Sequence, residues 1–522
     1  MKKKVRILAL ALAALMMLAG CTSNQSQNSA PPSNPSDNVG EPATADPSTG
    51  TKDNLIVAVS TEPSSLDPHN VNMVTAFMIG QHVIDRLFVS DASYNITPSL
   101  AESYDWLDDT TLQVKIREDV DFSNGQHMTA DDVVYSIQRA CSMSQSAATF
   151  DYFDGPNTEK VDEYTVNIKL KAAYPNALKV LAGGRGGIVC KSAIEEMGEE
   201  AYGRAPVGSG AFVVTNWSSG DRIELTRNDN YWGNKPAYKD LTFRIITESA
   251  SRTIEIETGG VDIAWDINSS DVERLEADPN VNIIKGASST MNHIVINSVN
   301  FDTLKNEKVR EAMHMAIDKS VIADVVYKGF AVVAESLAPN STTGFAKVGP
   351  STYDPEGAKA LIAESGFDTS TPIILQIYKD QTIQSVAEIL NNMWTAVGLN
   401  VQIEVVDRAT MVTNNSSGQT PMCITSVTCS DGNIESVFRQ WENPATGFTA
   451  DQELIDKIKD AKGIMDDAAR EAAYAEIQQQ CWDLNTVIPL VVGENIFGVR
   501  SNVQGFVFHP DKTPNLTGIT FG

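Results

Sequence analysis

From about residue 300 onward, short apolar runs alternate with capped amphipathic segments, and that alternation restricts the chain to an α/β body. The spacing predicts a helix over 308–327, with Val309, Ala312, Met313, Ala316 and Ile317 on one face. Asp354-Pro355 reads as an N-cap followed by a first-turn proline, and Gly366 closes that helix. A strand is predicted at 373–378, a helix at 383–397 ending before Gly398, and strands at 401–405 and 422–427. Two helical patterns fill 451–484, residues 487–492 read as a strand, and the tail beyond is irregular.

Toward the front of the chain the pattern is richer in strands. Residues 55–59 read as a buried strand, 61–68 as a turn-rich loop and 76–87 as a helix. Residues 111–116 and 164–170 alternate like half-buried strands. Between them, after a turn at 122–126, Thr129 caps a helix with Asp132 in capping-box position. Val133, Val134, Ile137 and Ala140 form that helix's apolar face. Strands are predicted at 210–216, 222–227, 241–246 and 261–265, with a helix at 251–257. No internal repeat is visible.

The first residues read as an address rather than as fold. Lys2, Lys3, Lys4 and Arg6 precede the apolar run from Ile7 to Leu18, which is shorter than the roughly 20 residues a bilayer span needs. Leu18-Ala19-Gly20-Cys21 then resembles a bacterial lipobox, with Cys21 as the lipidated residue; the alternative is an ordinary secretory signal. On the lipobox reading, residues 1–20 are a signal peptide and 21–53 are a lipidated cysteine plus a linker. That linker is rich in Ser, Pro, Asn and Thr and has no Leu, Ile or aromatic residue. Residues 54–522 are then the globular body. A lipid and a flexible leash would hold it on the extracytoplasmic face of the cell membrane.

Charge and cysteine usage exclude some functions. Acids outnumber bases 67 to 40 for a net charge of −27, and no block of five basic residues occurs, so nucleic acid is not an expected partner. The six cysteines become five, an odd number, if Cys21 is lipidated, so no disulfide framework is implied. No C-x-x-C occurs and the histidines (69, 82, 127, 293, 314, 509) are scattered, so no metal site or cofactor is predicted. There is no Walker P-loop, no H-E-x-x-H and no G-x-S-x-G. Val207-Gly-Ser-Gly-Ala211 lacks the nucleophile-elbow spacing, and Gly183-Gly-Arg-Gly-Gly187 breaks the G-x-G-x-x-G pattern at Val189. The acid pairs Asp108-Asp109, Asp131-Asp132 and Asp466-Asp467 are chain neighbours, whereas glycosidase acids face each other across a substrate. The absence of these motifs argues against an enzyme, and an exported hydrolase with an unrecognised site stays open as the alternative.

Five ordered blocks carry a resemblance. The strongest runs from Pro98-Ser-Leu-Ala-Glu-Ser-Tyr104 through Val114-Lys-Ile-Arg-Glu-Asp-Val120 and Phe122-Ser-Asn-Gly125 to Thr129-Ala-Asp-Asp-Val-Val-Tyr135. The others are Pro206-Val-Gly-Ser-Gly-Ala-Phe212, Leu225-Thr-Arg-Asn-Asp-Asn-Tyr-Trp-Gly233, Gly260-Val-Asp-Ile263, and Val309-Arg-Glu-Ala-Met313 with Ala316-Ile-Asp318. With them the chain resembles the family 5 extracellular solute-binding proteins, the oligopeptide, dipeptide and nickel-chelate receptors of ABC importers.

The resemblance implies a two-lobed periplasmic-binding-protein-like fold of class II type, with an additional small lobe and a ligand cleft between the lobes. By analogy lobe I takes about 54–88, 206–296 and 487–522, lobe II about 89–205, and lobe III about 297–486. It implies a monomer that captures a small peptide or similar solute and delivers it to permease subunits. It assigns Tyr231-Trp232-Gly233 and the turn 122–125 to structure. It places Asp431, in Thr428-Cys-Ser-Asp-Gly-Asn-Ile-Glu-Ser-Val-Phe438, opposite the ligand's α-amino group. The alternative for Asp431 is a turn residue before Gly432. Arg185 is placed as a carboxylate clamp or, alternatively, a surface-loop arginine; Arg408 and Trp441 are candidates for a carboxylate and a side-chain wall. Thr428 and Ile434 stand where relatives often have Trp and Pro, which leaves a metal chelate, an oligosaccharide or a signalling peptide open as ligand.

Overall fold

The apolar run at 55–59 becomes the strand Asn54–Val59, which lies parallel to Asp240–Ile245 on one side and to Ile263–Ala264 on the other. The computed structural model describes residues 52–349 and 352–522. The signal peptide 1–20, Cys21 and the linker through Thr51 lie outside the described residues. The main sheet has 11 strands. Its order is Val401–Val406, Ile373–Tyr378, Met422–Thr428, Val281–Ile296, Val487–Arg500, Ile263–Ala264, Asn54–Val59, Asp240–Ile245, Arg222–Arg227 and Phe212–Ser218. Ala331–Val333 adds to the Val487–Arg500 strand off this path.

A second sheet of 4 antiparallel strands is built from Ala101–Asp108, Thr111–Ile116, Thr165–Lys169 and Glu159–Asp162, in that order. The helix Ala130–Ser142 covers it with Val133, Ile137 and Ala140 buried. Its start is the expected capping box: the Thr129 backbone N–H donates to Asp132 Oδ2 at 3.1 Å.

Three large apolar cores result. One gathers Leu55, Met78, Leu112, Phe212, Phe243 and Phe497; a second gathers Ile294, Met313, Leu375, Leu390 and Trp394; a third gathers Val437, Phe438, Trp441, Ile477 and Cys481. The sequence blocks meet in the first of these regions. The Ser123 N–H donates to the Gly208 carbonyl at 2.8 Å, joining the 122–125 turn to the Val207–Ala211 segment. A Cβ on Gly208 would stand 2.0 Å from the Val83 carbonyl oxygen, so only glycine fits there. The Trp232 indole donates to Asp85 at 2.9 Å, and the Arg117 guanidinium lies 4.7 Å over its ring. All five cysteines among the described residues are free thiols.

Four elements differ from expectation. The helix expected over 76–87 runs only Val74–Gly80, because Gln81 and His82 turn to meet the carboxy-terminal tail. Gln81 donates to the Thr513 and Pro514 carbonyls, both at 3.1 Å, and His82 Nε2 accepts from the Leu516 N–H at 3.1 Å. The helix expected over 308–327 is broken into Glu307–Met315, Lys319–Val321 and a π-helical turn Ile322–Val326. Asp318 breaks it by acting as an N-cap: its carboxylate accepts from the Ser320 N–H at 3.1 Å and hydroxyl at 2.6 Å. The strand expected over 261–265 shrinks to Ile263–Ala264. The strand expected over 487–492 extends to Arg500, beside an unforeseen partner, Val281–Ile296.

One buried ion pair ties the turn-rich loop 61–68 to the small sheet's helix. Arg139 donates to Asp67 Oδ1 at 2.8 Å and Oδ2 at 2.6 Å, and both side chains are almost wholly buried. Burial pushes the His69 imidazole down to about 4, so it is neutral at pH 7 and accepts from Arg139 at 3.1 Å. Removing one partner of such a pair leaves an uncompensated charge. Asp67→Ala is expected to lower stability in a urea titration by about 3–5 kcal/mol, whereas Asp67→Leu with Arg139→Met recovers most of that loss. Equal losses in the single and double variants would contradict this account.

Candidate ligand-binding cleft

The strand Met422–Thr428 ends at the edge of a cavity of about 380 Å³, a size suited to a small molecule or short peptide. Beyond it the chain turns through Ser430 and Asp431 into the helix Glu435–Glu442. Asp431 makes that turn itself: its Oδ1 accepts from the Asn433 N–H at 3.2 Å and the Ser436 hydroxyl at 3.3 Å. The helix is strongly two-faced. Ser436 and Arg439 line the cavity, while Val437, Phe438 and Trp441 are buried in the core.

The opposite wall comes from the helix Val74–Gly80, the helix Ala177–Ala182, the 3₁₀ turn Gly184–Gly186 and the tail 509–515. Arg185 stands on that 3₁₀ turn. It donates to the Gln145 carbonyl at 3.0 Å and to Asn72 Oδ1 at 2.5 Å, with its guanidinium 5.2 Å over the Phe77 ring. Burial, then the nearby Arg439, lower its pKa. Arg86 also lines the cavity and is committed to the Ala182 carbonyl at 2.7 Å and Gln81 at 3.1 Å.

Asp431 and Arg185 therefore share one cavity. Arg408 and Trp441 are not among its lining residues. Arg408 is exposed at the start of the helix Arg408–Ser416, 5.3 Å over the Tyr378 ring. Trp441 is buried because it follows Val437 and Phe438 at helical spacing, and its indole donates to Thr486 at 3.3 Å. Sequence reasoning missed Lys179, Arg439 and Asp511, which also line the cavity; none stands in a motif that would have marked it.

Beneath Asp431 the two walls touch. A Cβ on Gly432 would stand 2.1 Å from the Tyr94 ring, and Gly432 also has φ +64°, so the position demands glycine twice over. The buried Glu435 carboxylate accepts from Tyr174 at 3.0 Å and Tyr474 at 2.5 Å, and from Asn176 as well. Tyr174 belongs to the first core and Tyr474 to the third, so this carboxylate bridges them. Burial and then Glu435 raise the Asp431 pKa; Arg439, the Asn433 N–H and Lys179 oppose the rise.

A further cavity of about 310 Å³ shares Val74, Thr428 and Asp511 with the first, so the two adjoin. Its polar lining includes Asp266, held by Lys512 at 2.6 Å and by the Ser60 hydroxyl at 2.8 Å. Among the described residues no group of three or more His, Cys, Asp or Glu side chains is placed to hold a metal ion. None of their helices is long and apolar enough to cross a membrane.

Comparison with known proteins places this cleft in context. The glutathione-binding protein GsiB of Escherichia coli K12 is 26% identical over 484 residues, covering 90% of this chain and 93% of the relative. The structure of HbpA2 from Haemophilus parasuis superposes with a TM-score of 0.80 at 24% identity, covering 90% of this chain and 100% of that one. The periplasmic binding protein DppA from Helicobacter pylori, in complex with the peptide STSA, gives a TM-score of 0.76 at 21% identity, with coverage of 90% and 98%. These two likenesses establish the fold, a two-lobed periplasmic-binding-protein architecture. Residues 95–448 match the family described as bacterial extracellular solute-binding proteins, family 5 Middle. The chain belongs to the family 5 bacterial extracellular solute-binding proteins.

Proposed function

We propose that this protein captures short peptides in the cleft around Asp431 and delivers them to the permease of an ABC-type importer. The observation that carries the reading is the state of the Asp431 carboxylate. One oxygen is occupied by its own turn and helix, while the other has no hydrogen-bond partner among the described residues. An ammonium is the complement of that oxygen, and a charge-assisted bond there is stronger than a neutral one. Relatives named for glutathione binding or seen with the peptide STSA bind molecules that carry such an ammonium. Arg185 supplies a cation along the same wall for a carboxylate. The lobes are taken as about 54–88, 206–296 and 487–522; 89–205; and 297–486. Cys21 is taken as the lipid anchor, holding a monomer at the extracytoplasmic face. No catalysis is assigned.

A metal chelate, an oligosaccharide or a signalling peptide is the competing ligand class. Native mass spectrometry of gently purified protein, followed by denaturation, is expected to release co-purified peptides. A released chelate or sugar in their place would overturn the reading.

Asp431→Ala is expected to weaken peptide binding about 10- to 100-fold, from the roughly 1.5–3 kcal/mol of a hydrogen bond to a charged group. Calorimetry on a co-purified peptide measures this, and unchanged affinity would remove Asp431 from the site.

Acid pH tests the same group through linkage. The raised pKa means that the free protein holds a proton on Asp431 at a higher pH than an ordinary carboxylate would. An ammonium favours the charged form, so binding in that range releases a proton, and affinity falls as pH is lowered through it. Titrations in buffers of different ionisation enthalpy should show this release for the wild type and none at this site for Asp431→Asn.

A further inference from the structure

Lys179 is the one cavity-lining ammonium whose Nζ is buried without a hydrogen-bond partner among the described residues. Buried polar groups are bonded as a rule, and an exception asks for a reason. Its acceptor neighbours are engaged elsewhere except for Asp431 Oδ2, which makes no hydrogen bond to it. The Glu435 carboxylate takes Tyr174, Asn176 and Tyr474, and Asp431 Oδ1 takes the Asn433 N–H and the Ser436 hydroxyl. Burial lowers the pKa of Lys179, and the charges that oppose this are Asp431 first and Glu435 second. Asp431 in turn feels Lys179.

Chain geometry agrees with this proximity. Lys179 is one helical turn beyond Asn176, and Asn176 donates to Glu435, which follows Asp431 by four positions. Lys179 thus faces the Asp431 end of the cavity, not the far end of an extended peptide. Arg185 lies elsewhere on the wall, committed to Gln145 and Asn72.

We infer that Lys179 receives a carboxylate carried by the same residue whose ammonium Asp431 holds, so that the preferred ligand is a short peptide led by an acidic residue. The inference rests on the peptide reading above and narrows its substrate class. The carboxylate has two possible sources. It is the side chain of an amino-terminal glutamate, or the free α-carboxylate of a glutamate joined through its γ-carbon. Both present an anion within a few bonds of the ammonium. An amino-terminal glutamine does not.

The test uses three dipeptides of nearly equal size: α-Glu-Gly, γ-Glu-Gly and Gln-Gly. Each is titrated calorimetrically into wild type, Lys179→Met and Lys179→Arg. At least one glutamyl dipeptide is expected to bind the wild type about tenfold or more tightly than Gln-Gly, and the tighter isomer identifies the source. In Lys179→Met that ratio falls to near one, and in Lys179→Arg it is retained in large part. Without ligand, Lys179→Met is expected to unfold at a urea concentration no lower than the wild type, because it removes an unpartnered buried charge. A wild-type ratio near one overturns the inference, as does a ratio that Lys179→Met leaves unchanged. So does a ligand-free Lys179→Met that is clearly less stable, because Lys179 would then be a structural partner of Asp431 or Glu435. If Asp431→Ala weakens all three dipeptides together in any of these cases, the peptide reading survives without the inference. If the wild type binds none of the three and releases no peptide on denaturation, both fall.

Discussion

The structure hangs on two long antiparallel strands, Val281–Ile296 and Val487–Arg500, whose pairing is interrupted in the middle. Val281 to Ala287 pair with Arg500 to Glu494, and Met291 to Val295 pair with Val492 to Val487. On one side of the break the sheet continues into Ile263–Ala264 and Asn54–Val59; on the other it continues into Met422–Thr428 and Ile373–Tyr378. Ser288, Ser289 and Thr290, at the break, line the smaller cavity. Ladder bonds resist bending wherever they are continuous, so a movement of one half of the sheet against the other concentrates where they are missing. The same short stretch bonds both walls. The Ser289 N–H donates to the Pro510 carbonyl at 3.0 Å, and its carbonyl accepts from the Cys429 N–H at 2.9 Å. The break in the ladder and the binding wall are one piece of chain.

The buried charges differ in how far the fold satisfies them. Away from the cleft several are satisfied within the fold, although the buried Lys319 ammonium has no hydrogen-bond partner among the described residues. Arg139 and Asp67 meet in a two-pronged pair, and Arg252 spends its guanidinium on the carbonyls of Ile246, Thr247, Trp265 and Asp266. Inside the cleft they are left partly open. One Asp431 oxygen and the Lys179 ammonium have no bonded partner among the described residues. A fold can hold such groups only because most of its polar atoms are paired, and on the peptide reading these two open groups are where a ligand is selected.

The sequence made some of this visible, and its failures have physical causes. Local signals succeeded: the Thr129 capping box, the Asp354 cap with Pro355, and Gly366 at φ +67° depend on residues a few positions apart. Asp431 and Arg185 were placed in the cleft by resemblance to relatives, and both line one cavity. The break at Asp318 was hidden because the apolar stripe continues through Ala316 and Ile317, both buried, while one carboxylate redirects the backbone. The Val281–Ile296 strand was hidden because its two halves lie in different surroundings. Its first half is partly exposed and its second is mostly buried, so no single period marks it. Trp441 misled because an aromatic near a binding motif looks functional until helical spacing sets it beside Val437 and Phe438. Lys179 had no local signal. It is an ordinary lysine in a short helix until Glu435, distant in sequence, fixes which way that helix faces.

Closure of such a cleft must be nearly balanced without ligand, or the ligand could not control it. The contacts across this one are of the kind that balances. The Glu435 carboxylate leaves water to enter the interface, at a cost, and three donors on Tyr174, Asn176 and Tyr474 return most of that cost. Tyr94 adds apolar contact against the bare backbone of Gly432, with no charge to desolvate. Tyr152 stacks on Tyr174 at 4.2 Å, extending the contact from the small sheet's side. These terms align the walls without holding them shut by much. On the peptide reading the surplus comes from groups that closure leaves unsatisfied, the free Asp431 oxygen and the Lys179 ammonium among them. A solute that bonds both removes the penalty of burying them, whereas a solute that bonds neither closes the cleft over two unsatisfied polar groups. On that reading the ligand's chemistry and the free energy of closure are coupled through the same two side chains.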